Sequence, residues 1–237
     1  MKTKIFLHHQ RCGGTTVRRA YRAYAIPHNS EGICTRIANR MEDHPDTLLI
    51  EVEPGIYEKE LEIDYDFFTI IRDPIDRVLS LIELRSRPDR SPNIWNSPSY
   101  EHRKTDGFWN DVKKSLIPDC LWHYSNTITR SMSGDPLSPT TPKSSAVALK
   151  RLYDMPVLVY NKQTYARDLE EFCNRIGVGS TVEPIGHSMP GSETFRDIVP
   201  EWIIDLLKSL NTYDIPLVKD MSEKTDEFNI YIPLTIT

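Results

Sequence analysis

Two strand-turn-helix units constrain this chain more than any other feature of its sequence. The apolar run Lys4–His8 stops at Cys12-Gly13-Gly14, and an amphipathic pattern begins at Thr15. A second apolar run, Phe67–Ile71, ends at Arg72-Asp73-Pro74, after which apolar residues recur at helical spacing. Strands that alternate with helices in this way form βαβ units. The sequence therefore predicts an α/β fold with a central parallel sheet and helices on both faces.

The same periodicities predict the remaining elements. The helix after the first turn is expected to carry Val17, Ala20, Tyr21 and Tyr24 on one face. Further helices are expected at 31–41, 108–116, 121–132, 165–176 and 200–210, with a break at Pro118, and further strands at 47–52 and 155–160. The segments 86–99 and 131–145 combine prolines and serines without periodicity, which predicts surface loops.

Composition and charge narrow the class of protein. With 237 residues, 39% of them hydrophobic, the chain can bury one core, and we expect a single domain over 1–237. A net charge of −5 disfavours a non-specific nucleic-acid binder. No run approaches the roughly 20 apolar residues of a membrane helix, so no membrane association is expected. The four cysteines lack zinc-site spacing, and free thiols indicate a reducing, cytoplasmic location.

The turn after the first strand has the composition of an anion-binding loop. In Gln10–Thr16, two glycines let backbone amides approach a ligand, and Arg11 with two threonines adds donors. The loop is not a Walker A motif, because it lacks the earlier glycine and the Lys-Ser/Thr pair. An ordinary tight turn with a threonine cap is the alternative interpretation.

The second turn carries a matching set of donors. Arg72 ends a strand and Ser80 follows two helical turns later, so the two side chains could bind one phosphate together. Pro74 starts the helix, and Arg77 could pair with a neighbouring carboxylate. A capped helix with solvated arginines is the ordinary alternative.

Together the two segments resemble the donor-binding motifs of a known enzyme family. Residues 6–16 resemble the 5′-phosphosulfate loop of carbohydrate sulfotransferases that use 3′-phosphoadenosine-5′-phosphosulfate (PAPS), and residues 68–80 resemble their 3′-phosphate motif. The similarity is to the branch that contains the heparan sulfate 2-O- and 6-O-sulfotransferases and their bacterial relatives. The family loop usually reads H-I-P-K-T-G-G-T-T, so Arg11 replaces a lysine and Cys12 a threonine. Residues 126–134 look more weakly like the family's N-x-x-T-R-x-L-x-G segment.

The resemblance implies a P-loop-like three-layer fold and a role for each matching residue. Arg11 would support the leaving group beside the bridging oxygen, and the amides of the loop would hold the 5′-phosphate. The 3′-phosphate would be held by Arg72 and Ser80. The donor-binding set is therefore Arg11, Cys12, Gly13, Gly14, Thr15, Thr16, Arg72 and Ser80. PAPS is the expected donor, and the chemistry requires no metal.

A general base must take the proton of the acceptor hydroxyl. Family members commonly place a histidine or glutamate near the end of the second strand, where this chain has Glu51-Val52-Glu53. Glu53 is our first choice as catalytic base, and Glu51 shares its face of a strand. A solvated strand-end carboxylate is the alternative for either residue.

The sequence thus predicts a sulfotransferase acting on a hydroxyl of a carbohydrate or small molecule. Two other classes stay open: a P-loop-type nucleotide-dependent kinase, and a nucleotide-binding module without catalysis. Acceptor contacts come from variable loops such as 86–99, so the acceptor is not identified by the sequence.

Overall fold

A computed structural model describes residues 4–14, 16–17, 24–26, 49–52, 66–86, 101–116, 124–134, 138–178 and 192–233, with the backbone alone at 24–26, 49–52 and 192–194. Its strands are β1 (Lys4–His8), β2 (Tyr24–Ile26), β3 (Leu49–Val52), β4 (Asp66–Ile71), β5 (Val157–Val159) and β6 (Ile230–Tyr231). Its helices are α1 (Pro74–Arg85), α2 (Asp106–Leu116), α3 (Thr127–Ser133), α4 (Pro142–Tyr153), α5 (Tyr165–Arg175), α6 (Ser192–Asp197), α7 (Glu201–Leu210) and α8 (Asp214–Lys224), with a 3₁₀ turn at Glu101–Lys104.

The strands form one mostly parallel sheet in the order β2-β3-β1-β4-β5-β6. Every neighbouring pair is parallel except β5 and β6, which are antiparallel. His8 pairs with Ile70, and Ile71 pairs with Val159. The carboxyl ends of β1, β4 and β5 therefore lie at one edge, where ligands bind in open parallel sheets.

Alternating side chains cover both faces of the sheet. Ile5 and Leu7 of β1 pack in one cluster with residues of α3, α4 and α8. Phe6, between them, packs in a second cluster with Phe68, Leu158 and residues of α5. Burial on both faces is what a parallel sheet requires. The predicted α/β class, with helices on both faces of a mostly parallel sheet, is confirmed.

A third apolar cluster joins helices rather than strands. It contains residues of α1, α2, α6 and α7, with Trp109 fully buried against Phe108 and Phe195. Trp109 is therefore a core side chain. Among the described helices, none has the length and the apolar run needed to cross a membrane.

Several predicted elements are confirmed at their positions. The run at 67–71 forms β4, Pro74 begins α1, and the pattern at 108–116 forms most of α2. The pattern at 165–176 forms α5, after which Gly177 takes a φ of 76°, and Pro200 directly precedes α7. The predicted helix at 31–41, all of the predicted loop 86–99 except Ser86, and the break at Pro118 lie outside the described residues.

Three predictions are wrong. The helix expected at 121–132 is broken at Ser125 and Asn126, because Asn126 takes a left-handed φ of 45°, and α3 begins at Thr127. Tyr24 was expected on a helix but begins β2, because pairing with Ile50 of β3 outweighs the helical pattern. The segment 131–145 was expected as one loop, yet α3 continues to Ser133 and α4 begins at Pro142. The Thr141 hydroxyl oxygen accepts a hydrogen bond from the Ser144 amide, and the Ser144 hydroxyl oxygen accepts one from the Thr141 amide. Those serines, threonines and prolines are therefore start signals of a helix.

Candidate anion-binding site

The candidate site lies where the segments after β1 and β4 meet. We call residues His9–Gly14 the β1 loop; it follows the central strand, and helical backbone begins at Gly14. Arg72 and Asp73 follow β4, and α1 starts at Pro74 with the Asp73 carboxylate capping the Asp76 amide at 2.9 Å. Because β1 and β4 are adjacent and parallel, the two segments start side by side.

Two residues with positive φ shape the β1 loop. Arg11 has φ 66° and Gly13 has φ 93°. Such a conformation is strained for a residue with a Cβ, so the position of Arg11 in the loop costs about 1 kcal/mol or more. A Cβ on Gly14 would lie 2.1 Å from the His8 ring, so only glycine lets that ring approach.

Hydrogen bonds within the loop leave a limited set of amides for a ligand. The Cys12 amide donates to the His9 carbonyl at 3.2 Å, and the Thr16 amide donates to the Gly13 carbonyl at 3.0 Å. Both amides belong to the predicted donor set, and both already have a backbone acceptor. The amides of Gly13 and Gly14 are therefore the better loop donors for an anion.

A direct contact joins Arg11 to Ser80. The Arg11 guanidinium donates to Ser80 Oγ from Nε at 3.1 Å and from Nη2 at 2.8 Å, across 69 residues of sequence. A serine hydroxyl has two acceptor lone pairs and one proton. Because Arg11 occupies the acceptor positions, the Ser80 proton is the part of the hydroxyl that is left to donate to an anion.

Arg72 lies beside this pair. Its Nη1 donates to the Arg11 carbonyl at 3.3 Å, and its guanidinium lies 4.7 Å from the centre of the Tyr160 ring. A cation over an aromatic face is held in orientation without losing its charge. Arg72 is thus placed by one backbone oxygen and one ring, with the remaining guanidinium donors at the sheet edge.

The electrostatics around Cys12 are dominated by cations. Among the described charges that act on this thiol, three belong to Arg77, Arg72 and Arg11 and one to Asp214. Burial nevertheless raises the pKa of the fully buried Cys12 thiol to about 11, so it stays protonated at neutral pH. Cys12 therefore contributes packing and backbone to the loop rather than a nucleophilic thiolate.

Arg77 is buried beneath the loop. It is 1% exposed, its Nη2 donates to Thr127 Oγ1 at 2.7 Å, and burial lowers its pKa while the Asp214 carboxylate opposes that change. Asp214 accepts the Ile128 and Thr129 amides of α3 at 2.9 and 2.8 Å. Among the described residues, the carboxylate whose charge acts on Arg77 thus belongs to α8, far along the chain.

His9 is buried as a neutral imidazole. Ser131 Oγ donates to the Thr127 carbonyl at 2.6 Å, so the contact of 3.2 Å between Ser131 Oγ and His9 Nδ1 assigns the ring proton to Nδ1. Burial, with smaller effects of Arg77 and His8, lowers the pKa of His9 from 6.5 to about 3. His9 is therefore a buried, neutral side chain that is hydrogen-bonded to α3.

Acid should destabilise the protein through His9. Because the folded-state pKa of about 3 is below 6.5, the unfolded chain binds the proton first as the pH falls from 6.5 toward 3. Between pH 7.5 and 5 the wild type should lose about 2 kcal/mol more unfolding free energy than His9→Asn, which keeps a donor toward Ser131 but does not titrate. Urea unfolding at both pH values measures the difference, with His102→Asn as control. Equal losses in wild type and His9→Asn would contradict this assignment.

Sequence reasoning missed two tyrosines at the site. Tyr160 directly follows β5, and Tyr165 begins α5; their ring centres are 4.5 Å apart. The Tyr165 hydroxyl donates to the Gly13 carbonyl at 2.9 Å. The available signal was positional, because β5 is parallel to β4 and ends at the same edge of the sheet.

The structure does not describe the side chains of three residues that the sequence predicts for the site. Thr15 and Glu53 lie outside the described residues, and Glu51 lies in β3, level with Phe6 of β1, with its backbone alone described. The base assignment therefore stays a prediction. The other predicted donor residues are described: Arg11, Cys12, Gly13 and Gly14 lie on the β1 loop and Thr16 in the helix after it. Arg72 lies between β4 and α1, and Ser80 lies in the middle of α1.

Comparison with known proteins does not assign the chain to a family. Neither the models of known protein families nor the curated protein sequences yield a match to the chain.

Proposed function

We propose that this chain is a sulfotransferase that moves a sulfuryl group from PAPS to a hydroxyl of a carbohydrate or small molecule, on a P-loop-like α/β fold. The observation that carries the proposal is the contact between Arg11 and Ser80. The residues that resemble the 5′-phosphosulfate loop and those that resemble the 3′-phosphate motif meet at one sheet edge, as a single bisphosphorylated ligand would require.

The charges at this edge support a polyanionic donor. Arg11 belongs to the β1 loop, and Arg72 and Arg77 lie close enough to act on its Cys12 thiol, in a chain whose net charge is −5. A local excess of cations in an acidic protein favours a small, highly charged ligand over a nucleic-acid backbone, which binds extended basic surfaces.

Each residue has a defined task in the proposed reaction. Arg72 and the Ser80 hydroxyl would bind the 3′-phosphate, and the amides of Gly13 and Gly14 would bind the 5′-phosphate. The acceptor oxygen would bond to sulfur as the bond between sulfur and the bridging phosphate oxygen breaks. Arg11 would stabilise the negative charge that develops on that leaving oxygen, and Glu53 would take the acceptor proton.

Ligand-dependent stability tests the proposal. Adenosine 3′,5′-bisphosphate should raise the Tm of the protein well above the shifts produced by adenosine 5′-phosphate or by ATP with Mg²⁺. A larger shift with ATP and Mg²⁺ would favour the kinase alternative. A shift with the bisphosphate but no transfer from PAPS to any glycan, phenol or alcohol in a labelled-donor screen would favour the non-catalytic binding module.

The 3′-phosphate assignment predicts a specific loss of affinity. Arg72→Ala should weaken binding of adenosine 3′,5′-bisphosphate tenfold or more, since a charged hydrogen bond to phosphate is worth about 1.5–3 kcal/mol, and Ser80→Ala should weaken it less. Calorimetric titration measures both, with Arg175→Ala, an arginine in surface ion pairs with Glu171 and Asp226, as control. Equal affinity of the wild type for adenosine 5′-phosphate and for the bisphosphate would contradict the assignment of Arg72 and Ser80 to a 3′-phosphate site.

A further inference from the structure

The connection between β5 and α5 contacts both halves of the proposed donor site. At its start, the Tyr160 ring lies under the Arg72 guanidinium at 4.7 Å. At its end, the half-buried Tyr165 donates its hydroxyl proton to the Gly13 carbonyl at 2.9 Å. The two rings touch each other, with 4.5 Å between their centres. One short segment therefore contacts both the β1 loop and Arg72.

The Gly13 carbonyl has two donors. It accepts the Thr16 amide at 3.0 Å and the Tyr165 hydroxyl at 2.9 Å, which together use both lone pairs of the oxygen. In a trans peptide the carbonyl of one residue and the amide of the next point in opposite directions. Holding the Gly13 carbonyl toward α5 therefore directs the Gly14 amide to the opposite side of the loop.

The identity of residue 13 fits this contact. Its φ is 93°, and a Cβ there would lie 2.3 Å from the Tyr165 hydroxyl oxygen. A side chain at this position would thus be strained and would displace the hydroxyl from the carbonyl. Glycine at 13 and tyrosine at 165 depend on one another across 152 residues of sequence.

We propose that Tyr165 is a positioning residue: its hydroxyl orients the Gly13–Gly14 peptide so that the Gly14 amide is presented to the 5′-phosphate of the donor. The proposal rests on the proposed function for the identity of the ligand. The Tyr165 ring also packs against the apolar cluster that contains Phe172. Tyr165→Phe keeps that packing and removes only the hydroxyl.

Two ligands separate a positioning role from a structural one. Tyr165→Phe should weaken the binding of adenosine 3′,5′-bisphosphate by about three- to tenfold, which is the effect of one hydrogen bond. The affinity for adenosine 3′-phosphate should stay unchanged. The matched control is Tyr231→Phe, which removes a hydroxyl that donates to the Tyr153 carbonyl at 3.1 Å, far along the sheet from the loop. It should alter neither affinity. Equal weakening of both ligands by Tyr165→Phe, or no weakening of either, would overturn the proposal.

A second measurement needs no ligand. Hydrogen exchange of the peptide that covers the β1 loop should be about fivefold faster in Tyr165→Phe than in the wild type, with exchange in β1 unchanged and Tyr231→Phe like the wild type. If the wild type fails to bind the bisphosphate while loop exchange rises, the proposed function fails and the positioning of the peptide by Tyr165 stands. Unchanged loop exchange overturns the role of Tyr165 whether or not the nucleotide binds.

Discussion

Arg11→Ala should lower turnover by a factor of about 10²–10³. It should weaken the binding of adenosine 3′,5′-bisphosphate much less. The physical reason is that the guanidinium acts mainly on charge that appears on the leaving oxygen in the transition state, and such preorganised donors are worth that much in rate. Single-turnover transfer from labelled PAPS gives the rate, and calorimetry gives the affinity of the product nucleotide. The split between the two identifies transition-state stabilisation.

Arg11→Lys is the matched control, and it should keep substantial activity because an ammonium can also stabilise the leaving oxygen. Lysine and alanine both carry a Cβ, so both bear the same backbone strain at the φ of 66° that Arg11 adopts. A difference between the two variants therefore reports on the cation. An alanine variant with normal turnover would remove Arg11 from the mechanism.

Glu53→Gln should abolish most transfer, by about 10²–10⁴ in rate, with nucleotide affinity and Tm nearly unchanged. A general base acts on the acceptor proton and makes no contact with the donor. The strand that precedes it in sequence, β3, ends at Val52, level with Leu7 of β1, and therefore at the edge that carries the β1 loop. Initial rates from labelled PAPS and thermal unfolding of the same samples measure the two quantities.

Glu51→Gln is the internal control for this prediction, since Glu51 lies within β3, level with Phe6. Loss of transfer in Glu51→Gln alone would assign the base to Glu51. Normal turnover of both variants would place the base elsewhere. A solvated strand-end glutamate would tolerate the amide with little change in rate or in Tm.

Local chemistry along the chain was enough to predict much of the fold. The glycines at 13 and 14, the proline at 74 and the apolar periodicities around them predict β1, its loop, β4 and α1, because turn conformation and helix initiation depend on adjacent residues. The same reasoning failed at 131–145, where the capping pair Thr141 and Ser144 has the composition of a loop.

The sequence by itself placed the arginines and the serine of the candidate site on two strand-turn-helix units. Because the strands of such units are parallel, their carboxyl ends and the turns that follow them lie at the same edge of the sheet. Only the tertiary structure decided that Arg11 donates to Ser80, that Asp214 of α8 lies near Arg77, and that Tyr165 holds the Gly13 carbonyl. These contacts join residues separated by 69 to 152 positions. They depend on strand register and helix packing, which bring distant side chains within hydrogen-bond reach and leave no pattern in the local sequence.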